Sequence, residues 1–278
     1  MMTTSDRADA LAQFEAQGFL VVEDVVPAEL CARVRGAISA FTGVDEDAPE
    51  TWTRHAAQGH GIVPLHHGQA LWDVRQWPAV HAVFAALYGT DALWVSIDRV
   101  SVKAPAHLFS QGWSVDPVHW DGDPRVPGPR SLQGLVYLTD TPASQGAFCC
   151  VPSLYRTLAA WLAAHPDDAA IVRPDIAGHE RVAVAAPAGS LVVWDRRMPH
   201  TSAANHGDRP RWVQYVAMQP AGDEAARQRL ARLYHERRPP GWALRQAVPG
   251  QQDPEPGPPA TLTPLGRRLA GVDAWHAP

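Results

Sequence analysis

Near the middle of the chain, His119-Trp120-Asp121 sets an imidazole and a carboxylate two positions apart. On an extended strand, residues i and i+2 point to the same face, so one face would offer two of the three ligands of a 2-His-1-carboxylate iron site. A third candidate lies downstream. An apolar strand, Ser190 to Trp194, runs into a turn, His200 follows, and Arg211 opens another strand that runs to Met218. The guanidinium fork of an arginine suits the carboxylate of an organic acid, because it donates two parallel charge-assisted hydrogen bonds. Two residues compete for these places. His206 lies in a Gly-Asp turn away from the strand, and Arg209 would share a face with Arg211 only if both are extended, which the intervening Pro210 weakens. Asp116, five residues upstream of Asp121, is the obvious substitute carboxylate.

The array from His119 through Gly146 to His200, Ser202, Asn205 and Arg211 resembles the phytanoyl-CoA dioxygenase family of iron(II)/2-oxoglutarate oxygenases. The spacing of the last four is its most specific part, and the likeness spans most of the chain. The resemblance implies that His119, Asp121 and His200 ligate iron(II). It also implies that Arg211, helped by the Ser202 hydroxyl, holds the far carboxylate of 2-oxoglutarate. Dioxygen is then the second cosubstrate, succinate and CO2 are released, and a small-molecule substrate is hydroxylated or otherwise oxidised. Related halogenases have a small residue where Asp121 stands, so a carboxylate here implies an oxygen-derived outcome. Pro152-Ser153-Leu154-Tyr155 departs from the family's usual Pro-Gly-Ser-His, at a histidine that is not a metal ligand. Two other classes stay open: a metal-binding cupin-like protein without turnover, and a zinc-dependent hydrolase, since His/His/Asp also suits zinc. Neither needs Arg211.

Many short strands with turn-rich connections, and helices gathered toward the N-terminus, predict a mainly β protein with flanking helices. The expected form is a double-stranded β-helix, the cupin-like jelly roll. We expect a single oxygenase domain over 1–278: a mostly helical part (1–90), a jelly-roll core (91–220), and a C-terminal helix with a docking tail (221–278). Helical spacing covers Asp9 to Gln17 with Gly18 as C-cap, Pro27 to Phe41, Pro78 to Tyr88 and Asp223 to Arg238. Strands are expected at Phe19 to Val22, Ala92 to Lys103, Ser131 to Thr139, Ala147 to Val151 and Arg181 to Ala185. Leu262 to Leu269 with Trp275 reads as a docking helix and an aromatic anchor. The stretch Thr42 to Gln69 holds His55, His60, His66 and His67 but no carboxylate or cysteine at ligand spacing, so it reads as a loop lining or covering the pocket.

Arg99 and Lys103 share a strand face and are candidates for touching an anionic substrate, although structural ion pairs are the blander explanation. Trp113, Trp120 and Tyr137 are candidates for an aromatic wall, with core packing the alternative for Tyr137. Lys103 is the only lysine, and the scattered arginines form no cluster for an acyl-CoA's phosphates, which favours a small metabolite. A net charge of −5 gives no general attraction to nucleic acid or anionic membranes. There is no apolar run long enough to span a bilayer and no signal-peptide pattern. Three cysteines, two of them adjacent, suit a reducing cytoplasm better than a disulfide framework.

Overall fold

Glycines and prolines punctuate the first hundred residues. Helix α1 (Thr4–Gln17) ends at Gly18, whose φ of +76° only glycine adopts without strain. A Cβ at Gly18 would lie 2.5 Å from the ring of Tyr155, so the helix end also needs a bare backbone for packing. Strand β1 (Phe19–Val22) follows, then α2 (Ala28–Thr42) directly after Pro27, with Gly43 as its left-handed cap. A 3-10 turn (Pro49–Thr51) and α3 (Thr53–Ala56) lead to strand β2 (Ile62–Val63), α4 (Gln69–Arg75) and α5 (Pro78–Tyr88), the last stopped by Gly89. Then come β3 (Leu93–Val95), β4 (Val100–Lys103), β5 (Leu132–Tyr137), β6 (Phe148–Cys150), α6 (Pro152–Arg156), α7 (Leu158–Ala164) and β7 (Val182–Val184). The chain continues with β8 (Leu191–Asp195), β9 (His200–Ser202), β10 (Arg211–Tyr215), β11 (Met218–Pro220), α8 (Glu224–Glu236), α9 (Gly241–Arg245) and α10 (Pro264–Leu269). This computed structural model describes residues 4–56, 61–109, 117–126, 128–166, 171–245 and 255–275.

The strands pair antiparallel throughout. The main sheet runs β1-β8-β5-β10-β4-β2, a smaller one β7-β6-β9, and a two-stranded piece joins β11 to β3. The main sheet is buried on both faces. Val100, Val102, Leu191, Val193 and Trp212 face the helices, packing with Phe14, Val34, Ile38, Leu71 and Phe84. Leu135, Tyr137, Val192, Trp194 and Val213 face the smaller sheet, packing with Phe148, Cys150 and Val184. A strand buried on both sides loses the clean polar alternation of a half-exposed one, which is why β8 reads as a continuous apolar run.

Three expectations need correction. Ala92 to Lys103 is not one strand, because β3 belongs to the two-stranded piece and β4 to the main sheet. Between them the Asp98 carboxylate accepts the Arg99 N–H (2.7 Å), a local side-chain bond that competes with ladder pairing. Arg211 to Met218 divides likewise, β10 staying in the main sheet and β11 leaving with β3. The His-rich stretch is not wholly loop: β2 pairs with β4, and His66 is buried. Its His60 lies outside the described residues.

The C-terminal tail docks as expected. Asp223 caps α8 by accepting the Ala226 N–H (2.7 Å), and Thr263 caps α10 by accepting that of Gly266 (3.0 Å). Trp275 donates its indole N–H to the Leu93 carbonyl (2.7 Å) and stacks on His81.

Candidate active site

The segment ending in His119 adds itself to the free edge of β9. His119 N–H donates to the His200 carbonyl (3.0 Å) and His200 N–H to that of His119 (2.9 Å), an antiparallel bridge. Residues directly opposite in such a pair project to the same side, so the two imidazoles meet with ring centroids 4.8 Å apart. Asp121, two residues beyond His119, returns to that same side. His119 Nε2 lies 3.6 Å from Asp121 Oδ1, and His200 Nε2 lies 3.6 Å from Asp121 Oδ2. The three donor atoms all fall within 4.8 Å of one another.

Hydrogen bonds on the far side of each ring decide which nitrogen faces inward. His119 Nδ1 is 3.0 Å from the Pro117 carbonyl, and His200 Nδ1 is 3.0 Å from the Met198 carbonyl. A carbonyl only accepts, so each Nδ1 carries the proton and each Nε2 presents a lone pair toward Asp121. Burial lowers the His200 imidazole below its ordinary range despite the pull of Asp121, which keeps that lone pair free at neutral pH. Burial alone would push the Asp121 carboxyl up. The electrostatic pull of the facing His200, a hydrogen bond from Gln133, and the pulls of His119 and Arg196 outweigh it and hold the group below the usual carboxylate range.

Gln133 is one of the residues that local sequence reasoning passes over. Its Nε2 donates to Asp121 Oδ2, and its Oε1 accepts the Trp194 indole N–H (3.0 Å). Because an indole only donates, Trp194 fixes which end of the amide faces the carboxylate. Phe148 and Trp194, stacked on one another at 4.3 Å, wall the His200 ring at 5.9 and 5.3 Å. The available signal was a single glutamine inside an otherwise apolar β5.

Arg211 is 1% exposed, and its Nε and Nη2 find no acceptor among the described residues. Leaving guanidinium donors unmet in the interior is costly, so an anion brought to Arg211 would satisfy them. Lys103 stands directly opposite Arg211 in the β10–β4 ladder and is equally buried. Its Nζ donates to Ser202 Oγ (2.6 Å) and to the Ala203 carbonyl (2.7 Å). A Cβ at Gly146 would lie 2.8 Å from the Lys103 side chain, which accounts for glycine there. Asn205, fully buried, ties the strands together: its amide donates to the carbonyls of Lys103 and Arg209 (2.8 Å each), and its oxygen accepts the Gly207 N–H (2.9 Å). Arg209 points outward and pairs with Asp47 (3.0 Å).

The remaining candidates scatter. Trp120 faces away from the triad. The alternation that puts His119 and Asp121 on one side puts the indole on the other, against Trp161 and with its N–H on the Arg197 carbonyl (2.7 Å). Tyr137 is fully buried between the sheets, donating to the Val184 carbonyl (2.8 Å) and accepting the Phe148 N–H (2.9 Å), so both sides of its hydroxyl serve the fold. Lys103 joins Ser202 rather than the mouth. Arg99 lies over the Trp242 ring at 5.0 Å and 3.8 Å from Asp98. Trp113 and Asp116 lie outside the described residues. Tyr155, at the departure from the family motif, hydrogen-bonds Asp195 (3.3 Å) behind the site.

Two histidines and a carboxylate whose donor atoms converge could hold a metal ion, and Arg211, whose Nε and Nη2 meet no acceptor among the described residues, is the kind of cation an organic acid would need. The chain belongs to the phytanoyl-CoA dioxygenase (PhyH) family, whose model matches residues 14–213. It is accordingly a non-haem iron enzyme with iron(II) as cofactor and 2-oxoglutarate as cosubstrate. A protein of Dictyostelium discoideum provisionally named a phytanoyl-CoA dioxygenase is 22% identical over 258 residues, covering 74% of each chain. Ava biosynthesis cluster protein O of Aspergillus versicolor is 23% identical over 236 residues, covering 75% of this chain and 76% of that one. Among solved structures, the α-ketoglutarate-dependent epimerase SnoN of nogalamycin biosynthesis matches with a TM-score of 0.58 at 18% identity, covering 94% of this chain and 97% of that one. Among the described residues no helix is long and apolar enough to cross a membrane.

Proposed function

We propose that this chain is an iron(II)/2-oxoglutarate-dependent oxygenase that oxidises a C–H bond of a small organic metabolite. On this reading the two facing sheets are the halves of a double-stranded β-helix within a single oxygenase domain. The observation that supports it most is the conjunction of three donor atoms facing one point with a buried, unmatched Arg211. A zinc hydrolase or a turnover-free binding protein has no use for that second feature.

His119 and His200 Nε2 and the Asp121 carboxylate would hold the metal. Arg211 would take the far carboxylate of 2-oxoglutarate, with Lys103 adding a second positive charge and orienting the Ser202 hydroxyl. When bound, iron(II) and 2-oxoglutarate supply the activation of dioxygen: 2-oxoglutarate is oxidised to succinate and CO2, and one oxygen atom becomes available to oxidise the substrate. The protein's part is placement. Backbone carbonyls lock both imidazole tautomers, the Trp194–Gln133 relay holds Asp121, and Phe148 with Trp194 keeps water from the buried side of His200.

A small natural-product-like substrate is supported by the names of the relatives, SnoN and the Ava cluster protein among them. Hydroxylation is the outcome we propose, since the Asp121 carboxylate fills the place that a halide would need. The test is incubation with iron(II), 2-oxoglutarate and a metabolite panel, following succinate and product mass. Succinate release coupled to one added oxygen supports the proposal. Product of unchanged mass would indicate epimerisation, and loss of two hydrogens would indicate ring closure or desaturation. No succinate under any condition overturns it.

A further inference from the structure

Among the described residues Arg125 pairs with Asp123 (2.8 Å), Arg130 with Glu15, and Arg197 with Asp195 (3.1 Å), and Arg196 differs from these three. Arg196 is exposed and has no hydrogen-bonded or ion-paired side-chain partner among the described residues. Its position is nonetheless built. The Arg196 backbone N–H donates to the Ser131 carbonyl (2.8 Å), anchoring its root where β8 ends. Its guanidinium then lies across Gly122, the residue after Asp121: a Cβ at Gly122 would stand 2.7 Å from Arg196 Nη2. Any other residue at 122 would push the guanidinium aside. The charge it reaches is that of Asp121.

That neighbour cannot be its working partner. Asp121 is the carboxylate of the metal group, and a cation beside a bound divalent metal is repelled by it. With iron(II), Asp121, 2-oxoglutarate, Lys103 and Arg211 all in place, formal charges leave one unbalanced positive charge before Arg196 is counted. The triad also opens on this side, since the Asp121 and His119 side chains are 40% and 29% exposed against 9% for His200. A molecule approaching the exposed edge of the triad therefore meets Arg196. A guanidinium fork binds a planar carboxylate through two donors at once.

We infer that Arg196 is a specificity-determining residue and that the substrate carries a carboxylate, or an oxyanion of like geometry, which docks beside Asp121. This rests on the function proposed above and names the substrate class for that same site. Gly122 leaves the space, and the anion places the rest of the molecule over the metal group.

The test uses manganese(II) in place of iron(II), saturating 2-oxoglutarate, and 19F relaxation of 4-fluorobenzoate against its neutral amide, with the zinc-loaded protein as diamagnetic reference. Metal and 2-oxoglutarate binding are measured first, by electron paramagnetic resonance and calorimetry. If either fails to bind, the proposed function falls and this inference with it. With both bound, we expect manganese-dependent relaxation of the carboxylate to exceed that of the amide. Arg196→Ala should lower it about two- to fivefold, the range for a solvent-facing charge pair, and Arg196→Lys should lower it less. Gly122→Ala, which keeps the charge and displaces it, should lower it too. Equal relaxation in wild type and Arg196→Ala, an amide relaxed as strongly as the carboxylate, or no manganese-dependent relaxation at all would overturn the assignment.

Discussion

Two pairs among the chain's 13 histidines invite comparison, His119 with His200 and His66 with His67, and only the first belongs to a group that could hold a metal ion. In His119 and His200 both Nδ1 atoms face backbone carbonyls, so both Nε2 lone pairs turn toward a shared carboxylate. Among the described residues, His66 and His67 belong to no group of converging metal-ligand atoms. His67 is held at both nitrogens, Nδ1 accepting the Trp72 indole N–H (3.4 Å) and Nε2 reaching the Arg238 carbonyl (2.9 Å). Burial, with the charges of Arg75 and Arg99, lowers His66 to about 3, and burial lowers His67 to about 4. Imidazoles hydrogen-bonded through a ring nitrogen occur in both places, but only beside Asp121 do two of them face a common point. A metal site is specified by what the far nitrogen bonds and by an adjacent carboxylate, rather than by the number of imidazoles.

The contrast can be broken most severely at Asp121. Asp121→Ala removes the one anion that unites the pair, and iron(II) affinity should fall by more than about a hundredfold, beyond what loss of an outer-shell partner costs. Titration calorimetry on protein shown to be folded by circular dichroism reads this, and unchanged affinity would move the ligand role to another carboxylate. Arg211→Ala comes next. It should leave metal binding intact and weaken 2-oxoglutarate by about 2–5 kcal/mol, the usual cost of deleting one partner of a buried charge pair. Arg209→Ala should change little, because that side chain faces Asp47.

Gln133→Leu sharpens the comparison by removing only the support of Asp121. Metal affinity should drop about 10- to 100-fold while the fold survives. Gln133→Glu should be worse, since it sets a second negative charge against Asp121. Normal affinity in both variants would show that the relay does not position the ligand.

The smallest effect concerns the other pair and appears only in acid. Folded His66 stays neutral far below its ordinary 6.5, whereas the unfolded chain takes up the proton there. The unfolded state thus binds more protons, and stability falls as pH drops from 6.5 toward 3, by about 2 kcal/mol at pH 5 from this group alone. His66→Phe should remove that part of the pH slope and leave metal affinity untouched. Denaturant melts across this pH range decide it, and a slope identical to wild type would show that His66 is not the group responsible.

How much of this could be read without coordinates follows the range of each interaction. His119 and Asp121 share a face because a strand alternates, a local rule, and the same rule puts Trp120 on the other side. The capped helices and the docking tail were legible from Gly18, Gly89, Asp223 and Trp275, since caps and anchors are local signals. The partnership of Gln133 with Asp121, of Lys103 with Ser202 and of Arg211 with Lys103 depends on which strands pair, and no spacing along the chain encodes that. The break between β3 and β4 was hidden because both halves are apolar and alternate alike. Only the Asp98 side chain, capturing the next backbone N–H, interrupts them.

The most direct measurement is visible absorption under anaerobic conditions as iron(II) and then 2-oxoglutarate are added to the protein. The account predicts a weak charge-transfer band that needs both additions, saturates at one iron per chain, and is missing in Asp121→Ala but present in His66→Phe. Tight zinc binding with no spectral response to 2-oxoglutarate, or a band that survives loss of Asp121, would contradict it.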